Sequence, residues 1–184
     1  MTHPLVRPHV TYEELCRIPS DGNRYELFEG EAYMTPSPDL RHQRAVRRLA
    51  RAFEDAITDG SEVLFAPMDV VLGEATAVQP DLIFVLETNA GILRDVVRGV
   101  PDLLVEVLSP STAKVDRGLK METYARYGVA EYWLVDIEKL AIEIYRLDPA
   151  AKAYRLTQRC REGDVATTPL LPRLSIATSK LFEI

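Results

Sequence analysis

A chain of 184 residues with 47% hydrophobic and 27% charged side chains has the balance of an ordinary soluble protein, and its length suits one domain, 1–184, with a full core. No apolar run reaches bilayer length, Met1–Val10 lacks a signal-peptide pattern, and Cys16 and Cys160 stand far apart without metal-ligand spacing. A cytoplasmic protein with reduced thiols and no membrane partner is expected, and the formal charge of −6 weighs against sequence-independent polyanion binding unless a local basic face supplies it.

Thr11-Tyr12-Glu13-Glu14 has the capping-box pattern and predicts a short helix over Tyr12–Arg17, closed by Pro19. Arg24–Phe28 and Glu31–Thr35 read as a hairpin around Glu29-Gly30. Glu26 sits inside the first strand between apolar neighbours, and alternation alone leaves it either inward or exposed. A longer helix is expected from about Pro38 to Ile57, with Val46, Leu49, Ala50, Phe53 and Ile57 as its apolar stripe. Its other side carries Arg41, Arg44, Arg47, Arg48 and Arg51, and His42 lies one turn before Val46. Such a run is commonly a solvated face and such a histidine a satisfied core residue. It is nonetheless the one stretch whose charge suits phosphate contact.

Three strand candidates follow, Glu62–Leu72, Asp81–Leu86 and Asp102–Leu108, with Glu87–Val100 read as a surface loop. The last two strands are apolar enough to be buried on both faces, where an unpaired carboxylate is costly. Asp81 and Glu106 therefore need partners. Two inward carboxylates repel unless they share a proton or a cation, and oxygen ligands of this kind suit Mg2+ or Mn2+. The plainer alternative has Asp81 capping a turn and Glu106 paired with a basic residue. For Asp102, at the strand edge beside Pro101, that plain role is expected.

Ser109-Pro110-Ser111-Thr112 caps a helix of about Ala113–Tyr127, which stops at Gly128. Lys120, Tyr124 and Tyr127 share one face of it, either looking toward Glu106 or holding a snorkelling lysine over two half-buried tyrosines. Glu131–Asp136, Ala141–Leu147 and Ala153–Gln158 read as strands, while Thr167–Ile184, broken by Pro169 and Pro172, is left unassigned. The chain has no Gly-rich phosphate loop, no HExxH, no cysteine cluster and no serine elbow, which excludes nucleotide kinases, zinc proteases and ordinary serine hydrolases. The order of elements predicts an α/β fold with a mixed central sheet flanked by helices.

Several segments together resemble the Uma family of restriction-endonuclease-like proteins, within the PD-(D/E)XK nuclease superfamily. They are Tyr25-Glu26-Leu27 with Gly30, His42, Gln79-Pro80-Asp81-Leu82, Pro101 to Thr112, Asp116-Arg117-Gly118 with Lys120, Tyr124, and Gly128 to Asp136. The resemblance implies a restriction-endonuclease-like fold and a metal-dependent endonuclease that hydrolyses phosphodiester bonds, with DNA as substrate. It implies Asp81, Glu106 and the Val107 carbonyl as ligands of Mg2+ or Mn2+. It also implies Lys120 as the group that orients or deprotonates the nucleophilic water. Lysine is expected two residues after Glu106, but Leu108 stands there, and Lys120 on the next helix is its replacement. Glu26 and His42 complete the expected catalytic set, Glu26 holding a second metal or a water. Arg41, Arg44 and Arg48 are the expected phosphate contacts, and a homodimer would allow both strands of a duplex to be cut. The competing readings are a non-catalytic nucleic-acid-binding or assembly module that keeps the fold, and a hydrolase of smaller phosphate esters.

Overall fold

The computed structural model describes residues 9–19 and 21–183, so the expectation for Met1–Val10 falls almost wholly outside the described residues. Helix α1 (Tyr12–Arg17) begins with the expected capping box: Thr11 Oγ1 accepts the Glu14 N–H, and the Glu14 carboxylate accepts the Thr11 N–H. Strands β1 (Arg24–Phe28) and β2 (Glu31–Thr35) form the hairpin. Its turn places Glu29 and Gly30 at φ 49° and 81°, two consecutive left-handed residues, which a two-residue hairpin loop needs and Gly30 makes easy. Helix α2 (Leu40–Ala56) starts two residues later than expected because Asp39 caps it, accepting the His42 N–H at 2.8 Å.

The single strand expected over Glu62–Leu72 is instead two, β3 (Glu62–Phe65) and β4 (Val70–Gly73), and they belong to different sheets. Pro67 lies in the break; without an N–H it cannot continue a ladder. Strand β5 (Thr76–Val78) follows, then β6 (Leu82–Val85). The expected surface loop after it contains a 3-10 turn (Glu87–Ile92) and strand β7 (Val97–Arg98), which pairs parallel with β4 and buries Val97. Strand β8 (Leu103–Leu108) leads to a helix in three parts: α3 (Ala113–Val115), a π-turn (Asp116–Lys120) and α4 (Met121–Tyr127). Strands β9 (Glu131–Asp136), β10 (Ala141–Asp148) and β11 (Ala153–Cys160) come next. Strand β12 (Val165–Thr168) runs into the unassigned tail, which goes on to form β13 (Leu171–Ala177) and α5 (Thr178–Leu181).

Six strands make the central mixed sheet in the order β11-β10-β9-β8-β6-β3, with β8 and β9 parallel and the other neighbours antiparallel. A second sheet runs β2-β1-β5-β4-β7. Alternation along β8 sorts its residues as the period of two predicts. Leu103, Val105 and Val107 pack with Leu49 and Phe53 of α2, while Leu104 and Leu108 pack with Tyr124 of α4 and with Val70 and Val78 of the second sheet. Fully burying a side chain of this size contributes about 1.5–3 kcal/mol, so these two cores fix which face of β8 looks at which helix. Glu106 belongs to the α4 face. Both cysteines are free, Cys16 exposed and Cys160 buried.

Candidate active site

Glu106 is buried in mid-strand, and the helix after its strand supplies its partners. Its Oε1 accepts hydrogen bonds from Lys120 Nζ at 3.0 Å and from the Tyr124 hydroxyl at 2.9 Å. The Lys120 ammonium is itself buried and also lies 3.1 Å from Glu26 Oε1 and 3.4 Å from Asp116 Oδ1. Spacing of four residues carries Asp116, Lys120 and Tyr124 down one helix face. The π-turn adds a residue within that stretch, rotating α3 by ~100° relative to α4. Such a turn disrupts the regular ladder, and Tyr132 of β9 donates its hydroxyl hydrogen to the Asp116 carbonyl at 3.0 Å.

Asp81 stands one residue before β6, the neighbouring strand. Leu82 pairs with Val105, and continuing that register one position brings Asp81 beside Glu106. Asp81 Oδ2 accepts the Val107 N–H at 2.7 Å and lies 3.1 Å from His42 Nε2, which reaches it from the first turn of α2. His42 is a buried residue, as its place in the stripe predicts, yet its partner is the candidate metal ligand. Burial opposes protonation of this imidazole, but Asp81, the Val107 carbonyl and Asp39 together raise its pKa above the ordinary value.

Glu26 faces inward and is buried, which settles the alternative that its strand leaves open. Its Oε1 accepts the Gln79 N–H at 2.9 Å, and the Gln79 side chain donates to Asp69 at 2.7 Å. Asp69 in turn accepts the Tyr12 hydroxyl at 2.7 Å, so a polar chain runs from the N-terminal helix to the site. Asp102 takes the plain role: it accepts the Leu86 N–H and the Asn89 amide, pinning the loop beyond β6.

Glu26's neighbour Gln79, together with His42, Asp81, Glu106, Val107, Asp116 and Lys120, borders or lines a cavity of about 220 Å3. The carboxylates of Glu26, Asp81, Glu106 and Asp116 meet one ammonium and one imidazole here. Burial drives Glu106 well above the usual carboxylate range; Lys120 opposes this, while Asp116, Asp81 and Glu26 add to it. Burial likewise raises Asp116. Lys120 is penalised by burial, yet Glu106, Glu26 and Asp116 outweigh that penalty and hold its pKa well above the ordinary value. The shifts favour a charged ammonium, and the groups whose proton affinity is raised beside it are the Glu106 and Asp116 carboxyls and the His42 imidazole. Asp116 was not among the expected site residues. Its signals in the sequence were the i,i+4 spacing to Lys120 and its place in the Asp116-Arg117-Gly118 segment of the resemblance.

The family model Uma2, described as "Putative restriction endonuclease", matches residues 11–179. The chain belongs to the Uma2 family. A crystal structure described as "a putative nuclease belonging to DUF820", from Anabaena variabilis ATCC 29413, is similar with a TM-score of 0.77 and 16% identity, covering 94% of this chain and 97% of that one. At that identity the likeness shows the fold alone, the mixed α/β nuclease fold. No curated protein matches the chain. Uma2 membership and fold together are those of a nuclease-type hydrolase.

The arginines of α2 divide between two jobs in this Uma2 chain. Arg48 donates to the carbonyls of Leu181 and Glu183, and Arg41 donates to Glu138 and the Ile137 carbonyl. Arg44 and Arg47 are exposed and make no hydrogen bond or ion pair among the described residues.

Proposed function

We propose that this protein is a divalent-metal-dependent endonuclease acting on DNA, with Asp81, Glu106 and the Val107 carbonyl as the metal ligands. The observation that carries this reading is the convergence of Asp81, Glu106 and Lys120 on one cavity, from two adjacent strands and the helix after them.

The donor set suits Mg2+ or Mn2+. It consists of hard oxygens, its carboxylates outnumber the nearby cationic groups, and the buried Asp116 Oδ1 has no hydrogen-bond partner. Among the described residues no three His, Cys, Asp or Glu side chains form a preformed cage, and magnesium, which keeps several waters, needs none. When bound, the ion would acidify a water and offset charge at the scissile phosphate. Asp81 is held in place by the Val107 N–H and His42, so its carboxylate is aimed before any ligand arrives. Lys120, charged and fixed by three carboxylates, orients a water and offsets negative charge at the phosphate; it has no free pair to act as the base. Glu26 and Tyr124 hold that ammonium and Glu106 in register.

The competing reading is a non-catalytic module. It is favoured by Leu108, buried where the superfamily has its lysine, and by the saturation of Lys120 with ion pairs. A nicking assay on supercoiled plasmid with Mg2+ or Mn2+ separates the two. Wild type is expected to nick and Asp81→Asn to lose at least about a hundredfold in rate. Equal residual activity in the two proteins would reject the metal site.

A further inference from the structure

Beside the site cavity runs a larger groove of about 700 Å3 between α2 and the end of β3. The two share Gln43 and Val46 as lining residues, and Phe65 of the groove is followed directly by Ala66 of the cavity. The groove therefore adjoins the cavity lined by Asp81 and Glu106. Its walls combine two features. Arg44 and Arg47 project from α2 without partners among the described residues, whereas farther along Arg51 is offset by Asp55 at 3.7 Å and the exposed Glu54 adds a second acid at that end. Phe65 is 52% exposed, although an aromatic ring of this size is ordinarily buried, and Leu40 is 64% exposed.

We propose that this groove binds an unpaired strand of nucleic acid, with a base stacked on Phe65 and the adjoining phosphates on Arg44 and Arg47. Arginines beside an exposed aromatic ring are the chemistry of single-strand binding: the ring accepts any base face and the guanidinium groups follow the backbone. Charge decides against an apolar partner segment, because the end nearest the site carries two unpaired cations. The cavity's modest volume agrees with a single phosphate entering from such a strand. The inference rests on the nuclease reading for the chemical class of the ligand and narrows it to substrates with a single-stranded or splayed segment.

The test uses the full chain in chelator, so that binding is read without cleavage. Fluorescence anisotropy with a labelled single-stranded oligonucleotide and its blunt duplex is compared for wild type, Phe65→Ala, Phe65→Tyr and Arg47→Ala. Wild type is expected to bind the single strand more tightly than the duplex. Phe65→Ala should weaken single-strand binding at least about fivefold, and Phe65→Tyr should restore it. Arg47→Ala should flatten the log–log salt dependence by about 0.7. Tighter binding of the duplex, or unchanged affinity in Phe65→Ala, would overturn the proposal even if wild type nicks plasmid. So would a sedimentation result in which Phe65→Ala only breaks a dimer of this chain. Conversely, single-strand binding that depends on Phe65 in a protein that cuts nothing would support the groove and reject the nuclease.

Discussion

Lys120 is the counter-ion on which the site's acids depend. Replacing it with methionine keeps most of the volume but leaves Glu26, Glu106 and Asp116 buried around no positive charge. Removing one partner of a buried ion pair costs about 3–5 kcal/mol, and Lys120→Met should lower stability to that extent in a urea titration of metal-free protein. The double variant Lys120→Met with Glu106→Gln should recover part of the loss, since one stranded carboxylate has gone. Full additivity of the two changes would show that the acids do not feel the ammonium. Tyr124→Phe is a milder probe. Its ring stays packed edge-on against Tyr132, at 5.1 Å between centroids, and only the bond to Glu106 is lost. About 1.5–3 kcal/mol is expected, the range for a hydrogen bond to a charged group. A loss near zero would mean that Lys120 alone positions Glu106.

At the scale of elements, the π-turn is anchored to the sheet by Arg117, which bonds Glu143 of β10 and reaches Asp136 of β9 at 3.5 Å. Burial acts to raise Glu143, but hydrogen bonds from Arg117 and Tyr145 and the charges of Arg117 and Arg159 hold it below its ordinary 4.5. Asp136 is held below 3.8 by Lys139 and Arg117 against the same opposition from burial. A carboxylate with a depressed folded pKa stabilises above its unfolded pKa, and that contribution fades as pH falls through the folded value. The clamp is thus intact at neutral pH and is lost in acid, as pH falls past the ordinary carboxylate values and through the lower folded ones. Urea midpoints taken between about pH 6 and about pH 3 should fall less steeply in Glu143→Gln, which starts less stable. Parallel curves would remove Glu143 from the clamp. The elements themselves were legible where local chemistry sets them. Thr11 and Glu14 mark α1, Glu29-Gly30 marks the hairpin, and alternation marks the two faces of β8. Pro67 could have divided Glu62–Leu72, but a strand that changes sheets is a tertiary event with no local period. The π-turn left no local pattern either, and Glu26 resolved only when Lys120 arrived from a distant element.

For the molecule as a whole, the site lies where two sheets and a helix meet. Glu26 comes from the second sheet, Asp81 and Glu106 from the central sheet, and Lys120 from the helix between β8 and β9. A cation drawn to Asp81 and Glu106 would also relieve the charge excess felt by Glu26 and Asp116. Its binding should therefore stabilise the entire fold rather than one loop. If Mg2+ or Mn2+ binds only the folded chain, a hundredfold excess over its dissociation constant contributes about 2.7 kcal/mol. Melting of chelator-treated wild type should rise as either ion is added, with hydrogen exchange slowing on β1 and β8 together. Asp81→Asn retains an oxygen to accept the Val107 N–H but loses the charge, so its fold should survive while its response to the ions disappears. A wild-type melting temperature unmoved by both ions would make Asp81 a structural acceptor and leave the charge excess to be met by protons alone. Protection confined to β8 would instead separate Glu26 from the metal's influence and assign it to Lys120 only.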